Sequence, residues 1–212
     1  MNLFETSLRS GITLAFLAVF YANSFSQSSE EVIKEVEAHR KKQKKELRDR
    51  KKSPLLPEQI RKFKGLNYYP IDLKYRVKAK FIKNEVPVFF KMKTTTDRLP
   101  DYSKYGEVMF VLDGQEYKLE VYQSPDVMKM PGYEDYLFIP FTDLTNGDET
   151  YEVGRYLEFR IPKNENVVLD FNKCYNPYCS YGSDRYSCPI PPEANHLPAA
   201  ILAGEKKFNL AH

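Results

Sequence analysis

Apolar and basic residues alternate one by one along residues 73–81, and this period of two constrains the fold more than any other feature of the chain. Every second position is apolar, and every intervening position is Lys or Arg. Such alternation predicts a strand with one face buried and the other in water. The apolar positions are Leu73, Tyr75, Val77, Ala79 and Phe81.

The same pattern returns in shorter segments separated by turn residues. Asp113-Gly114 between two apolar runs is a strong signal for a tight hairpin turn, and Lys83-Asn84-Glu85 predicts a second hairpin. No long helical pattern separates these segments. The chain is therefore predicted to be mainly β, an antiparallel β-sandwich or partly closed barrel with an N-terminal helix. The further predicted strands cover residues 86–92, 108–112, 117–122, 136–141, 151–161 and 167–172.

Residues 1–26 have the pattern of a secretory signal peptide. A weakly charged start precedes an apolar run over 11–22, and Ser24 and Ser26 supply small residues for cleavage before Gln27. A bilayer-spanning helix needs roughly 20 apolar residues, which is more than this run provides. The sequence therefore predicts cleavage and export, periplasmic or secreted, rather than a retained anchor. The mature chain is then expected to have no integral membrane segment.

The mature chain is predicted to contain a charged amphipathic helix over 27–52 and a single β-rich domain over 53–212. Ten Lys or Arg and six Asp or Glu lie between residues 30 and 52. This helix is either a solvated element whose first turns dock on the domain, or a basic arm for an anionic surface. The first interpretation is preferred, because runs of charge are usually solvated. The domain itself carries a net charge of −1, which argues against nucleic acid as a partner.

An arginine on an apolar face marks one candidate site. In the strand predicted over 151–161, Arg155 shares its face with three apolar residues. A buried arginine without a partner is very unfavourable, so a carboxylate is expected beside it. The pair would either brace a hairpin, or leave the guanidinium to hold an anionic group of a ligand. The candidate carboxylates are Asp143, Asp170 and Glu205.

The strand predicted over 167–172 places two polar side chains together. Asp170 and Asn172 alternate with apolar residues and would project from the same face, about 7 Å apart. Tyrosine, asparagine and aspartate in one patch suit a small polar ligand or a glycan, through stacking and hydrogen bonds.

All three cysteines, Cys174, Cys179 and Cys188, lie within 15 residues, and the residues alone leave three interpretations open. In an oxidising compartment two of them should pair, and Cys179 with Cys188 would close a short loop. With His196 the three cysteines could instead bind zinc, although their spacing fits no familiar zinc module. Nucleophilic catalysis by a cysteine would need His196 as its base. We predict no metal and no cofactor, because no phosphate-binding glycine loop or zinc-protease motif is present.

Several distinctive blocks follow one another along the chain. They include Gly65-Leu66, Tyr68-Tyr69-Pro70-Ile71-Asp72, Gly154-Arg155-Tyr156-Leu157, Leu169-Asp170-Phe171-Asn172, Tyr175-Asn176-Pro177, Cys188-Pro189 and Ala203-Gly204-Glu205-Lys206. In this order they resemble a bacterial family known only as domain of unknown function 1684, over residues 53–207.

The resemblance carries no activity, but it implies that a set of signature residues forms one neighbourhood. It also implies that Cys179 and Cys188 are the disulfide pair, because Cys174 and His196 lie outside the family pattern. The signature residues are Arg155, Asp170, Asn172, Tyr175, Asn176, Cys179, Cys188 and Glu205.

These observations lead to three hypotheses. The leading one is a non-enzymatic binding or structural module with a polar and aromatic patch, and no catalytic residue is assigned. The alternative is a hydrolase-like enzyme with Asp170 and Glu205 as base and acid, and Arg155 holding an anionic group. In the third, the signature residues only lock the C-terminal segment onto the domain. The candidate binding residues are Arg155, Asp170, Asn172, Tyr175, Asn176 and Glu205.

Overall fold

Six antiparallel strands form one curled sheet in the computed structural model, which describes residues 27–209. The strand order is β5-β4-β3-β2-β1-β6, so the two last strands in the chain lie at opposite edges. This confirms the mainly β, antiparallel and partly closed architecture with an N-terminal helix. The strands are β1 Arg76–Lys91, β2 Asp101–Leu112, β3 Gln115–Gln123, β4 Tyr136–Phe141, β5 Arg155–Arg160 and β6 Asn166–Asp170.

Helices are few and mostly short. They are α1 Ser29–Leu47, α2 Pro57–Lys62 and α3 Pro125–Met128, with single 3₁₀ turns at Leu73–Tyr75, Phe171–Lys173, Tyr178–Tyr181 and Glu193–Asn195. Within residues 27–209, none of these helices is long and apolar enough to cross a bilayer. The predicted signal peptide lies outside the described residues.

Two sequence signals in the β1–β3 region have opposite outcomes. The hairpin at Asp113-Gly114 is confirmed, since both residues have positive φ, 52° and 76°, as a two-residue turn of this type requires. The hairpin predicted at residues 83–85 is wrong, because β1 continues to Lys91. Residues 84–87 instead form a bulge in the pairing of β1 with β2. A bulge absorbs extra residues without reversing the chain.

The apolar face of β1 is confirmed from Tyr75 to Phe81, where every second residue is buried inside the curl of the sheet. Leu73 precedes the strand in a 3₁₀ turn. The core on this face is completed by residues from all the other strands and from the C-terminal segment. It includes Val108, Leu119, Ile139, Leu157, Leu169, Phe171 and Ile201.

The strand predicted over 167–172 ends early. β6 stops at Asp170, and the chain then turns through Phe171–Lys173. Asp170 and Asn172 therefore do not project side by side from a strand, as predicted. Instead, the Asp170 Oδ1 atom accepts hydrogen bonds from the backbone N–H and the Nδ2 of Asn172, at 3.1 and 3.0 Å.

The two edges of the sheet face each other across an open seam. Past β6, Tyr175 exchanges two backbone hydrogen bonds with Tyr156 of β5, at 2.9 and 3.1 Å, and this closes one end of the seam. The rest of the seam lies beneath α1, which contributes Glu35 and His39 to its walls. Covering an edge strand with a helix is a common way to shield unpaired backbone groups.

α1 is capped by Ser28, whose Oγ accepts the Glu31 backbone N–H at 3.2 Å. It ends at Leu47, five residues before the predicted boundary. The helix docks along its whole length rather than by its first turns alone. Near its middle, the Arg40 guanidinium lies 4.4 Å from the centre of the Tyr68 ring. Val32, Val36 and Leu47 are buried against the domain.

Candidate functional site

Arg155 is fully buried and belongs to a structural network. Its Nη2 forms an ion pair with the Asp143 Oδ2 at 2.6 Å, so of the three predicted carboxylates Asp143 is the partner. The guanidinium also donates to the carbonyls of Ile201 and Ala203, at 2.9 and 2.5 Å. A buried guanidinium needs this number of acceptors to offset the loss of water. Arg155 therefore fastens the C-terminal segment and is not available to a ligand.

A second buried network holds Glu205. Its carboxylate is fully buried and accepts the backbone N–H of Asn176 at 3.0 Å, the Asn176 Nδ2 at 2.9 Å and the Tyr181 hydroxyl at 3.0 Å. Burial raises the pKa of Glu205 to about 7. The preceding Gly204 has φ +75°, and a Cβ there would lie 2.3 Å from the Cys174 Sγ. Glycine is therefore required to bring Glu205 to its partners.

Asn172 and Asp170 form a third network at the start of the domain. Asn172 is fully buried; its Oδ1 accepts the Asp72 N–H at 3.0 Å and its Nδ2 donates to the Asp72 carbonyl at 2.9 Å. The Asp170 Oδ2 accepts the Arg76 Nη1 at 3.0 Å. No hydrogen bond joins Asp170 to Glu205. The structure thus places the two carboxylates of the enzymatic hypothesis in separate networks.

A cleft of about 400 Å³ occupies the seam between β5 and β6. Its floor is apolar, with Leu157 and Leu169, and Tyr175 closes one end. Of the six predicted binding residues, only Asp170 and Tyr175 line this cleft. The charged and titratable lining residues are Glu35, His39, Arg76, Glu158, Arg160, Asp170 and Lys173.

Every cation in the cleft wall already has an anionic partner. Arg76 pairs with Asp170 at 3.0 Å, Lys173 pairs with Glu35, and Arg160 pairs with Asp135 at 2.5 Å. The positive charges of the wall are therefore already compensated by carboxylates of the protein.

Two polar groups in the wall have no such partner. Glu158 makes no ion pair or hydrogen bond within residues 27–209, although its side chain is exposed in the cleft. The Nε2 of His39 is buried without a hydrogen-bond partner. Burial also lowers the pKa of His39, so the ring is neutral at pH 7. The exposed Glu158 carboxylate is therefore available to a ligand, whereas the His39 Nε2 atom lies beneath the surface.

Sequence reasoning missed both groups. Glu158 occupies the polar face of β5, and His39 lies in a highly charged helix. Each has the pattern of an ordinary solvated position. They meet in one cleft because β5 and β6 form the two edges of the curled sheet and α1 covers the seam between these edges. This arrangement depends on the whole fold, and no local sequence pattern encodes it.

The three cysteines are free thiols in the structure. Cys174 is buried, with its Sγ 3.5 Å from the Ala203 carbonyl. Cys179 and Cys188 are neighbours, since the Cys179 N–H donates to the Cys188 Sγ at 3.2 Å, but no bond joins them. Their pairing stays a prediction. Within residues 27–209, no group of three or more His, Cys, Asp or Glu side chains is arranged to hold a metal ion.

Comparisons with known proteins agree with the predicted resemblance. No curated protein matches the chain. Its structure is similar to the solution NMR structure of the uncharacterized protein from gene locus rrnAC0354 of Haloarcula marismortui, with a TM-score of 0.66 and 34% sequence identity. The match covers 86% of this chain and 97% of that one. Residues 61–206 match the model of a family described as protein of unknown function, DUF1684. The chain therefore belongs to the DUF1684 family.

Proposed function

We propose that this protein is a non-enzymatic binding module, and that a small polar ligand occupies the cleft between β5 and β6. The observation that carries the proposal is the exposed carboxylate of Glu158, which lies on the wall of this cleft without an ion pair or hydrogen bond within residues 27–209. Its volume of about 400 Å³ lies within the usual range of small-molecule sites. An apolar floor with few available polar groups is also typical of such sites.

The signature residues have a supporting role in this proposal. Arg155, Asn172 and Glu205 are fully buried and hydrogen-bonded to protein groups, which favours the locking role considered for them from the sequence. Asp170 and Tyr175 differ from these three residues because both line the cleft, and Tyr175 also pairs with β5. The fully buried signature residues thus support the fold around the cleft without lining it.

The geometry gives less support to the hydrolase hypothesis. General acid–base catalysis requires both groups within reach of one substrate. Asp170 lines the cleft, but its oxygens accept hydrogen bonds from Arg76 and Asn172. Glu205 is fully buried behind Asn176 and Tyr181. Arg155, the predicted anion holder, is buried as well.

Export is part of the same proposal and rests on the signal-peptide pattern of residues 1–26. An exported binding module would meet its ligand outside the cytoplasm. N-terminal sequencing of the protein from its native host should begin at Gln27. A sequence that begins at Met1 would contradict cleavage.

The binding proposal is tested by NMR with a library of small neutral, anionic and cationic polar molecules, sugars included. Ligands should shift amide signals of β5, β6 and the first half of α1. Val168→Trp should abolish these shifts, because Val168 lines the cleft and a larger side chain fills it. Val111→Trp is the matched control, since Val111 is 53% exposed on β2 and lies outside the cleft lining.

The outcomes are clear-cut. Binding to the wild type and to the Val111 variant, but not to the Val168 variant, would support the cleft as the site. No cleft shift with any member of the library, or equal binding by both variants, would overturn the proposal.

A further inference from the structure

We infer that the ligand of this cleft carries a protonated primary amine, which binds the Glu158 carboxylate. The inference rests on the proposed function, because it names the ligand class for the same cleft. It follows from which charges in the wall are compensated and which are not.

The charge balance of the wall favours a cationic ligand. Three cations line the cleft, and each is held by a carboxylate. Glu158 is the lining carboxylate that has no ion pair within residues 27–209. A bound anion would have to break an existing pair to be neutralised, whereas an ammonium group would find an unpaired carboxylate.

The surroundings of Glu158 strengthen this argument. Burial between the cleft walls raises its pKa, so part of its hydration is already lost. Arg160 and Lys42 stabilise the charge from beyond ion-pair distance, while Glu46 opposes it. A carboxylate that is partly desolvated and unpaired gains more from a direct cationic partner than a fully hydrated one does.

Hydrogen-bond acceptors select a primary amine over a quaternary one. An ammonium group has three N–H donors and no acceptor. The Glu158 carboxylate has two oxygens that can accept these hydrogen bonds, and it has no partner within residues 27–209. A quaternary ammonium has no N–H group to donate to this carboxylate.

The test compares pairs of probes in which hydroxyl groups replace amino groups on the same carbon skeleton. Glucosamine is compared with glucose, and 1,4-diaminobutane with 1,4-butanediol. Affinities are measured by calorimetry at pH 7 and low salt, and NMR locates the site. Each amine should bind in the cleft at least about tenfold more tightly than its hydroxyl partner, as expected for a charge-assisted hydrogen bond.

Two variants make the test specific. Glu158→Gln keeps the shape of the side chain and removes its charge, and it should reduce amine affinity by about tenfold or more. Glu116→Gln is the matched control, because Glu116 is an exposed glutamate on β3 without an ion pair in residues 27–209. It should leave amine binding unchanged. Circular dichroism confirms that both variants fold.

Each result has a distinct meaning. Equal cleft binding of glucose and glucosamine would overturn the amine inference and leave the proposed binding function standing. Amine binding that survives Glu158→Gln would overturn the role of this carboxylate. Absence of cleft binding by every probe would overturn the inference, and the separate library screen then decides whether the proposed function also fails.

Discussion

Replacing Glu205 with glutamine should change how the stability of this protein depends on pH. The Glu205 carboxylate is fully buried, and burial raises its pKa from 4.5 to about 7. Between these two values the folded chain binds more protons than the unfolded chain. Stability contributed at this site therefore falls as pH rises from about 4.5, and the loss is complete above about pH 7. At roughly 1.4 kcal/mol for each pKa unit, the total loss is about 3 kcal/mol.

Glu205→Gln removes the titrating group and should remove this slope. The amide also presents N–H groups toward donors on Asn176, which adds a destabilisation that does not vary with pH. Unfolding by urea is followed by circular dichroism at pH 5, 6, 7 and 8, for the wild type and the variant. The stability difference between them should shift in favour of the variant by about 3 kcal/mol from pH 5 to pH 8. The exposed Glu116→Gln change should give a profile parallel to the wild type.

Parallel profiles for the wild type and Glu205→Gln would refute this reasoning, because they would show that Glu205 does not titrate in this window. Should the variant fail to fold, the wild type still provides the answer. Carbon-13 NMR of the Glu205 carboxyl group should give a midpoint near 7, and a midpoint below 5 would contradict the predicted effect of burial.

Arg155→Met should lower the free energy of unfolding in urea by about 3–5 kcal/mol, because it leaves the buried carboxylate of Asp143 unpaired. A loss below about 1 kcal/mol would show that this ion pair does not stabilise the fold. Gly204→Ala should lower the melting temperature more than Gly147→Ala does. Both glycines have positive φ, but of the two only Gly204 has atoms within 4 Å of the position that a Cβ would take. Equal melting temperatures of the two variants would contradict this. Protein secreted under oxidising conditions should contain a Cys179–Cys188 disulfide, which non-reducing peptide mass spectrometry detects, and alkylation of both thiols would contradict it.

The sequence predicted those parts of the fold that local patterns encode. Alternation from Tyr75 identified the buried face of β1, and Asp113-Gly114 identified a hairpin through its backbone preference. The burial of Arg155 followed from its apolar neighbours. The partner of Arg155 could not be predicted, because three carboxylates were compatible with the sequence pattern. The path of the chain between β4 and β5 brings Asp143 to the guanidinium.

The candidate site was harder to predict because it depends on long-range arrangement. Glu158 and His39 come from elements far apart in sequence, and each occupies a position that looks solvated. The polar signature residues were predicted to bind a ligand, because buried and ligand-binding polar groups have the same composition. Hydrogen-bond satisfaction separates the two cases, and it becomes visible only in three dimensions.

The attachment of Arg155 to the C-terminal segment has a consequence for the order of events during synthesis. Its guanidinium donates to a carbonyl 48 residues further along the chain. Until Ile201 and Ala203 have left the ribosome, the Arg155 guanidinium has Asp143 as a partner but lacks two carbonyl acceptors of the C-terminal segment. The buried network around Arg155 is therefore completed only after the segment that follows β6 has been made.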